Sequence, residues 1–389
     1  MRLLRISFIG FLAAVLASCA DDRVSPVAPD EAAAPAFSAG GQAIEDSYIV
    51  VLKEGANPRA IAAAAGANPR FVYEAALNAF AATLNAGQVN ALARNPLVDY
   101  IEQDQVYTTA ATQSNPTWGL DRIDQRNLPL SRSYTYAYTG SSVYAYIIDT
   151  GIRTAHNDFG GRAANVYDAF GGNGQDCNGH GTHVAGTVGS STHGVAKSVR
   201  LRGLRVLNCS GSGSTSGIIA AIDWLRVNRV NPAVANMSLG GGLSSSLNTA
   251  VNNLANSGVF VAVAAGNENQ NACNVSPASA SAAYTVAAST SSDAKASYSN
   301  YGSCVNIYAP GSSITSAWHT SNSATNTISG TSMASPHVAG MAALVKARHG
   351  NISSSSVASY ITNAATANKI TGNPTGTPNR LLYKDGSTY

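Results

Sequence analysis

Apolar positions recur along this chain in two rhythms, and the rhythm changes near residue 110. Before that point the runs are short. Tyr48-Ile49-Val50-Val51-Leu52, Phe71-Val72-Tyr73 and residues 80–84 have the length and the β-branched or aromatic character of strands. Residues 98–103, Val-Asp-Tyr-Ile-Glu-Gln, alternate apolar and polar as a half-buried strand does. Asn57-Pro58 opens an Ala-rich stretch to residue 65, with a capping residue followed by a proline in the first turn. Residues 86–94 carry Val89 and Leu92 at helical spacing. The predicted order is βαββαβ, a small α+β module of ferredoxin-like topology.

Beyond residue 110 the apolar runs lengthen. Val143-Tyr144-Ala145-Tyr146-Ile147-Ile148 is nearly all apolar, as a strand covered on both faces must be. Residues 201–207, 234–237, 259–264 and 283–287 read as further strands. Helical stretches fall between or after them, at residues 181–188, 217–227, 245–257 and 333–348. Such alternation predicts an α/β domain of three layers, a parallel sheet with helices on both faces.

The N-terminus has another character. Arg2 and Arg5 precede an apolar run over residues 6–17, too short to span a bilayer and patterned as a secretory signal over residues 1–19. Leu16-Ala17-Ser18-Cys19 also resembles a bacterial lipoprotein box, favoured here over an ordinary cut near Ala17 or Ala20. Residues 20–46 are mostly Ala-, Pro- and Asp-rich without apolar period and read as a disordered tether. The expected domains are then residues 47–110 and residues 111–389.

Composition narrows the class. Hydrophobic residues make up 45% of the 389 and charged residues 12%, which is not the balance of a disordered chain. The net charge of +3 is spread without a Lys/Arg block, so no nucleic-acid groove or polybasic membrane patch is expected. Of five cysteines, Cys19 belongs to the leader, leaving Cys177, Cys209, Cys273 and Cys304 for an oxidising compartment. Four cysteines allow three pairings. Sequential pairing would close two loops of about 32 residues, each worth roughly 3–4 kcal/mol by chain entropy.

Three loop-embedded stretches carry candidate chemistry. Asp149-Thr150-Gly151 stands at the carboxyl end of the apolar strand, where catalytic groups of open α/β sheets collect. Asn178-Gly179-His180-Gly181-Thr182-His183 puts two histidines at a helix start, and spacing alone does not choose between them. A zinc site is not expected, because the Glu of His-Glu-x-x-His and any third ligand are missing. Gly330-Thr331-Ser332-Met333-Ala334 places a serine where a helix N-terminus favours developing negative charge. The order Asp, His, Ser is that of subtilisin and not of an α/β-hydrolase.

Together these stretches resemble the three signatures of the subtilisin-like serine proteases, in the family's order. Trp118-Gly119-Leu120-Asp121-Arg122-Ile123-Asp124-Gln125, Asp176-Cys177-Asn178-Gly179, Asn236-Met237-Ser238-Leu239-Gly240-Gly241 and Ser299-Asn300-Tyr301-Gly302-Ser303-Cys304 narrow the likeness to the proteinase K branch and its aqualysin-type members. The βαββαβ module resembles the family's inhibitory propeptide.

The resemblance implies a secreted endopeptidase that cleaves polypeptides through an acyl-enzyme and is made as a self-cleaving zymogen. Asp149, His180 and Ser332 would form the triad, and Asn267 would supply the oxyanion hole with the Ser332 amide. Gly211, Ser212 and Gly213 on one side, and Ser238, Leu239 and Gly240 on the other, would pair with an extended substrate. Ala264 and Gly266 would floor an apolar first pocket, giving broad specificity with an apolar or aromatic preference. No acidic residue in these stretches suggests a Lys/Arg-specific pocket. Asp121, Asp124, Gln125, Ser131 and Ser133 match a family calcium site, and hard oxygen ligands suit Ca²⁺. A second family site, near Ser281 and Ala283, has the neutral Asn306 in place of Asp. Self-cleavage is expected near Ala110/Ala111, with Tyr107-Thr108-Thr109-Ala110 in the cleft; a lipid on Cys19 would then stay with the propeptide. A monomer without organic cofactor is expected. The alternative, a silent binding protein on the same scaffold, is disfavoured by the full set of catalytic residue types.

Overall fold

The computed structural model describes residues 33–37, 42–106 and 110–389. The leader with Cys19, much of the tether, and residues 107–109 lie outside the described residues; where the tether is described it is not disordered, since Ala36–Phe37 pairs with Ile101–Glu102 and the strand Gln42–Leu52 starts inside it. The chain divides into two compact units, formed chiefly by Ile44–Asp104 and Gln105–Tyr389.

In the first unit, one sheet runs in the order Ala36–Phe37, Val98–Val106, Gln42–Leu52, Ala79–Thr83, Pro69–Tyr73. Two helices, Pro58–Ala64 and Ala86–Ala93, complete the predicted βαββαβ order. Both starts are capped, the first as the sequence suggests. Asn57 Oδ1 accepts from the Arg59 and Ala60 amides, while Asn85 and Gln88 form a reciprocal capping box. Val50, Leu52, Ile61, Phe80, Leu92 and Ile101 make the core.

The second unit is built on a nine-stranded sheet. From one edge its order is Ala163–Asp168, Arg200–Arg205, Tyr144–Asp149, Ala233–Met237, Phe260–Ala264, Tyr284–Ser289, Ile307–Pro310, Arg380–Leu381 and Thr366–Ala367. Neighbours are parallel except for the final pair. After Tyr144–Asp149 the chain builds two strands to one side and then crosses to the other. That strand therefore lies at a topological switch point, where open α/β sheets bind ligands beyond the carboxyl ends.

Side-chain alternation explains what each face buries. Ala145 and Ile147 enter one core with Phe260, Ala262 and Val286; Tyr146 and Ile148 enter the other with Val261 and Val263. Asp149 falls on the face of Ala145 and Ile147 by the period of two. On that face lie helices His180–Gly189 and Thr331–His349, through Val184, Val188, Val338 and Leu344. Helices Thr215–Asn228 and Ser245–Asn256 cover the other face through Ile222, Leu225, Val251 and Leu254. The Thr331–His349 helix is buried along most of its length, so its sequence shows no polar stripe.

Two disulfides are formed, Cys177–Cys209 and Cys273–Cys304, which is the sequential pairing.

Candidate active site

The helix that begins at His180 meets the end of the Asp149 strand closely. A side chain at Gly181 would overlap the Gly151 carbonyl oxygen, so only glycine permits the approach. It brings His180 Nδ1 to 2.8 Å from Asp149 Oδ1. Asp149 is fully buried, whereas the His180 side chain is 25% exposed. Burial alone would lower the imidazole's pKa. The Asp149 carboxylate, by charge and hydrogen bond, and Asp176 more distantly, outweigh that and hold it above the usual 6.5. His183 has a different environment. It is fully buried, its Nε2 meets the Ile314 carbonyl at 3.0 Å, and burial pushes its pKa down to about 3. The pair with Asp149 thus belongs to His180.

Ser332 stands in the first turn of its helix, so its N–H has no intrahelical acceptor. Pro336 is four residues on and lacks the N–H that would bond the Ser332 carbonyl. The Ser238 hydroxyl takes that place, donating to Ser332 O at 2.8 Å. In return the Ser332 hydroxyl donates to the Ser238 carbonyl at 3.1 Å. Asn236 links Ser238 to Ser335, with its Nδ2 2.8 Å from Ser238 Oγ and its Oδ1 2.7 Å from Ser335 Oγ. The nucleophile candidate is therefore braced by a buried polar chain. No hydrogen bond joins Ser332 Oγ to His180 among the described residues, although both line one cleft.

That cleft has a volume of about 780 Å³ and is lined by His180 and Ser332 together with every residue expected to bind substrate. Gly211, Ser212 and Gly213 form one side; Ser238, Leu239 and Gly240 form the other; Ala264, Gly266 and Asn267 lie there too. Asn267 Oδ1 accepts from the Thr331 amide at 2.8 Å and the Thr331 hydroxyl at 3.0 Å. Its carboxamide oxygen is thereby fixed, and its NH₂ is left as the donor. Sequence reasoning missed Thr331 in this role, although it adjoins Ser332. It also missed Glu268, a carboxylate in the cleft wall held by Asn300 Nδ2 at 2.8 Å.

The residues expected to hold calcium come together at the start of the second unit. Asp121 Oδ1 accepts from the Ser131 amide and hydroxyl, both at 3.0 Å, and Gln125 Oε1 from the same amide at 2.8 Å. Ser131 and Ser133 hydroxyls are 2.9 Å apart. Asp124 Oδ1 is buried without a hydrogen-bond partner, and burial pushes that carboxyl's pKa up to about 6. Hard oxygens of this kind are what Ca²⁺ takes, but the set holds only two carboxylates, and among the described residues no group of three or more His, Cys, Asp or Glu side chains is placed to hold a metal ion. The second position does not fit: Asn306 Oδ1 is neutral and already accepts from the Thr285 amide at 2.6 Å.

A parallel α/β sheet with an aspartate–histidine pair and a helix-terminal serine in one cleft has the architecture of a serine protease. Comparison with known proteins agrees. The subtilase family profile matches residues 140–382, and the peptidase inhibitor I9 profile matches residues 64–110. An extracellular serine proteinase from Thermus sp. (strain Rt41A) is 49% identical over 95% of this chain and 96% of its own length. The subtilisin-like serine protease AsES of Sarocladium strictum is 50% identical over 87% of this chain and 89% of its own. A crystal structure of a cold adapted subtilisin-like serine proteinase superposes with a TM-score of 0.67 at 52% identity, covering 69% of this chain and 98% of that one. The chain belongs to the subtilase family and is a serine endopeptidase made with an inhibitory propeptide.

Proposed function

We propose that Asp149, His180 and Ser332 are the triad of a secreted endopeptidase. The observation that carries this is the 2.8 Å pairing of His180 with buried Asp149 in the cleft that holds Ser332. An extended substrate lies between the Gly211 and Ser238 segments, and its backbone N–H takes the Ser238 carbonyl. The Ser332 hydroxyl, released from that carbonyl, turns to His180 Nε2, gives up its proton and attacks the scissile carbonyl carbon. Asp149 fixes the imidazole tautomer and stabilises the imidazolium. The oxyanion is held by Asn267 Nδ2 and the Ser332 amide. His180 then protonates the leaving amine, and water releases the acyl group by the same path in reverse.

Ala264, Gly266 and Leu239 give the cleft an apolar floor suited to aromatic and aliphatic residues; Glu268 adds one carboxylate to its wall. Residues 47–110 serve as the inhibitor segment, cleaved near Ala110/Ala111 to leave residues 111–389 as the mature enzyme. The leader directs export, and lipid on Cys19 would tether only the precursor; a mature form that still begins at Cys19 in mass spectrometry contradicts this. Asp121, Asp124, Gln125, Ser131 and Ser133 would hold a structural Ca²⁺, whose removal by EDTA lowers the melting temperature. The direct test is Ser332→Ala. Wild type self-processes and the variant stays full length; equal sizes contradict the proposal.

A further inference from the structure

The His180 helix starts without an ordinary cap. The preceding residue is Gly179, with a φ of 112° and no side chain to accept from the first turn. A carboxylate outside the triad does so instead. Asp176 Oδ1 accepts from the Asn178 and Gly179 amides, both at 2.9 Å, and Oδ2 accepts from the Thr182 amide at 3.0 Å and the Thr182 hydroxyl at 2.5 Å. Thr150 closes a ring, since its hydroxyl donates to Asp176 Oδ1 at 2.9 Å and accepts from the Gly181 amide at 2.8 Å. The Thr150 amide in turn donates at 2.7 Å to Asp149 Oδ1, the oxygen that meets His180. Asp149 and His180 are thus joined twice, once directly and once through Thr150 and Asp176.

We propose that Asp176 is a positioning residue for peptide hydrolysis: it locks the first turn of the His180 helix onto the Asp149 strand and places a second fixed carboxylate near the imidazole. The inference rests on reading Asp149, His180 and Ser332 as the triad. Among the described residues, Asp149, Asp176 and His183 act on the charge of His180, and His319 lies against the preceding Gly179. Asp149 comes from the strand and Asp176 from the loop before the helix, and both favour the imidazolium. His183 lies one turn further on and is neutral, with a pKa of about 3. Asp176 therefore acts on the state His180 reaches when it holds the Ser332 proton, and not on substrate.

Asp176→Asn removes the charge and turns one acceptor into a donor facing N–H groups. The expected result is a kcat lower by about 10- to 100-fold with KM within about two-fold, because the lost interaction acts in the transition state. The acid limb of kcat/KM should move down by roughly half to one pH unit, since removing a negative charge leaves the imidazolium less favoured. Asp176→Glu, which keeps the charge on a longer stem, should restore the limb while kcat stays low. A wild-type kcat and limb in Asp176→Asn, or a lost kcat with the limb unmoved, overturns the proposal. Should Asp176→Asn yield no folded enzyme, Thr150→Val cuts the ring and keeps the charge. Its kcat should fall with the limb in place, and a wild-type kcat there also overturns the proposal. Ser332→Ala separates the two levels. An active Ser332→Ala enzyme sinks the triad reading, while an inactive one beside a normal Asp176→Asn enzyme sinks this inference alone.

Discussion

Thr331→Val tests how Asn267, the proposed oxyanion donor, is held. Thr331 is fully buried, and its hydroxyl has two partners: it donates to Asn267 Oδ1 at 3.0 Å and accepts from the Gly266 amide at 3.1 Å. Valine keeps the shape and removes both bonds. Leaving the part-buried Gly266 N–H without an acceptor costs about 1–3 kcal/mol of stability. At roughly 2–4 °C per kcal/mol for a domain of this class, melting should drop by several degrees. The catalytic effect is separate. Asn267 is exposed in the cleft, and its oxygen would keep only the Thr331 amide at 2.8 Å. Removing an oxyanion donor outright costs about 10²–10³ in turnover, a figure measured in subtilisin. Losing one of two anchors should cost a fraction of that, about 10-fold or ~1.4 kcal/mol. The assay is kcat and KM on a chromogenic peptide anilide, well below the melting transition, beside a thermal scan. KM should hold, because the oxyanion exists only beyond the ground state. Asn267→Ala should abolish the further effect of Thr331→Val, since both act on one donor. A lower melting temperature with wild-type kcat, or additive losses in the double variant, refutes the reasoning.

Other substitutions test the frame around the site. Gly181→Ala sets a methyl group against the Gly151 carbonyl oxygen, so kcat should fall by at least 10-fold and stability by about 1–3 kcal/mol; wild-type kinetics would show that the helix–strand approach is not critical. Arg122 is fully buried and binds Asp293 through Nε at 2.7 Å and Nη2 at 2.9 Å. Arg122→Met strands the Asp293 carboxylate and should cost about 3–5 kcal/mol in denaturant unfolding, whereas a change under 1 kcal/mol would mean that solvent rescues it. Acid should destabilise the enzyme through two buried histidines, His183 and His337, whose pKa values are pushed down to about 3 and about 4. A depressed histidine holds fewer protons folded than unfolded, so stability falls as pH drops below about 6.5 and goes on falling towards those values. Raised His180 has the opposite sign: its contribution is complete below about 6.5 and fades as pH climbs through its folded value. Melting temperatures between pH 7 and pH 4 that do not fall would contradict the buried-histidine account.

What the sequence reveals, and what it conceals, follows from burial. Tyr144–Asp149, Ala233–Met237 and Phe260–Ala264 are legible because both faces are covered and nearly every position is apolar. Ala163–Asp168 carries no such signal, since it is an edge strand whose residues are all half-buried. The hairpin of Ile314–Ala317 and Thr325–Ile328 hides behind Thr, Ser and Asn, and helix Ser354–Ala364 buries only Val357 and Ile361. In the site, Asp149, His180 and Ser332, proposed here as the triad, stand out in the sequence by their chemistry and order. The supports are not. Asp176 accepts mostly from backbone amides, which every residue has, and Thr331 and Ser238 are small polar residues of common type. Only coordinates reveal that Pro336 frees a carbonyl for Ser238 to fill.

The account stands most directly on Ser332 as the nucleophile that His180 activates. Treatment of the mature enzyme with an organofluorophosphate, followed by peptide mapping, reads this in one measurement. The expected result is one adduct per chain, on Ser332, formed in step with loss of peptidase activity and suppressed in His180→Ala. An adduct on another residue, or activity that survives complete labelling of Ser332, would contradict it.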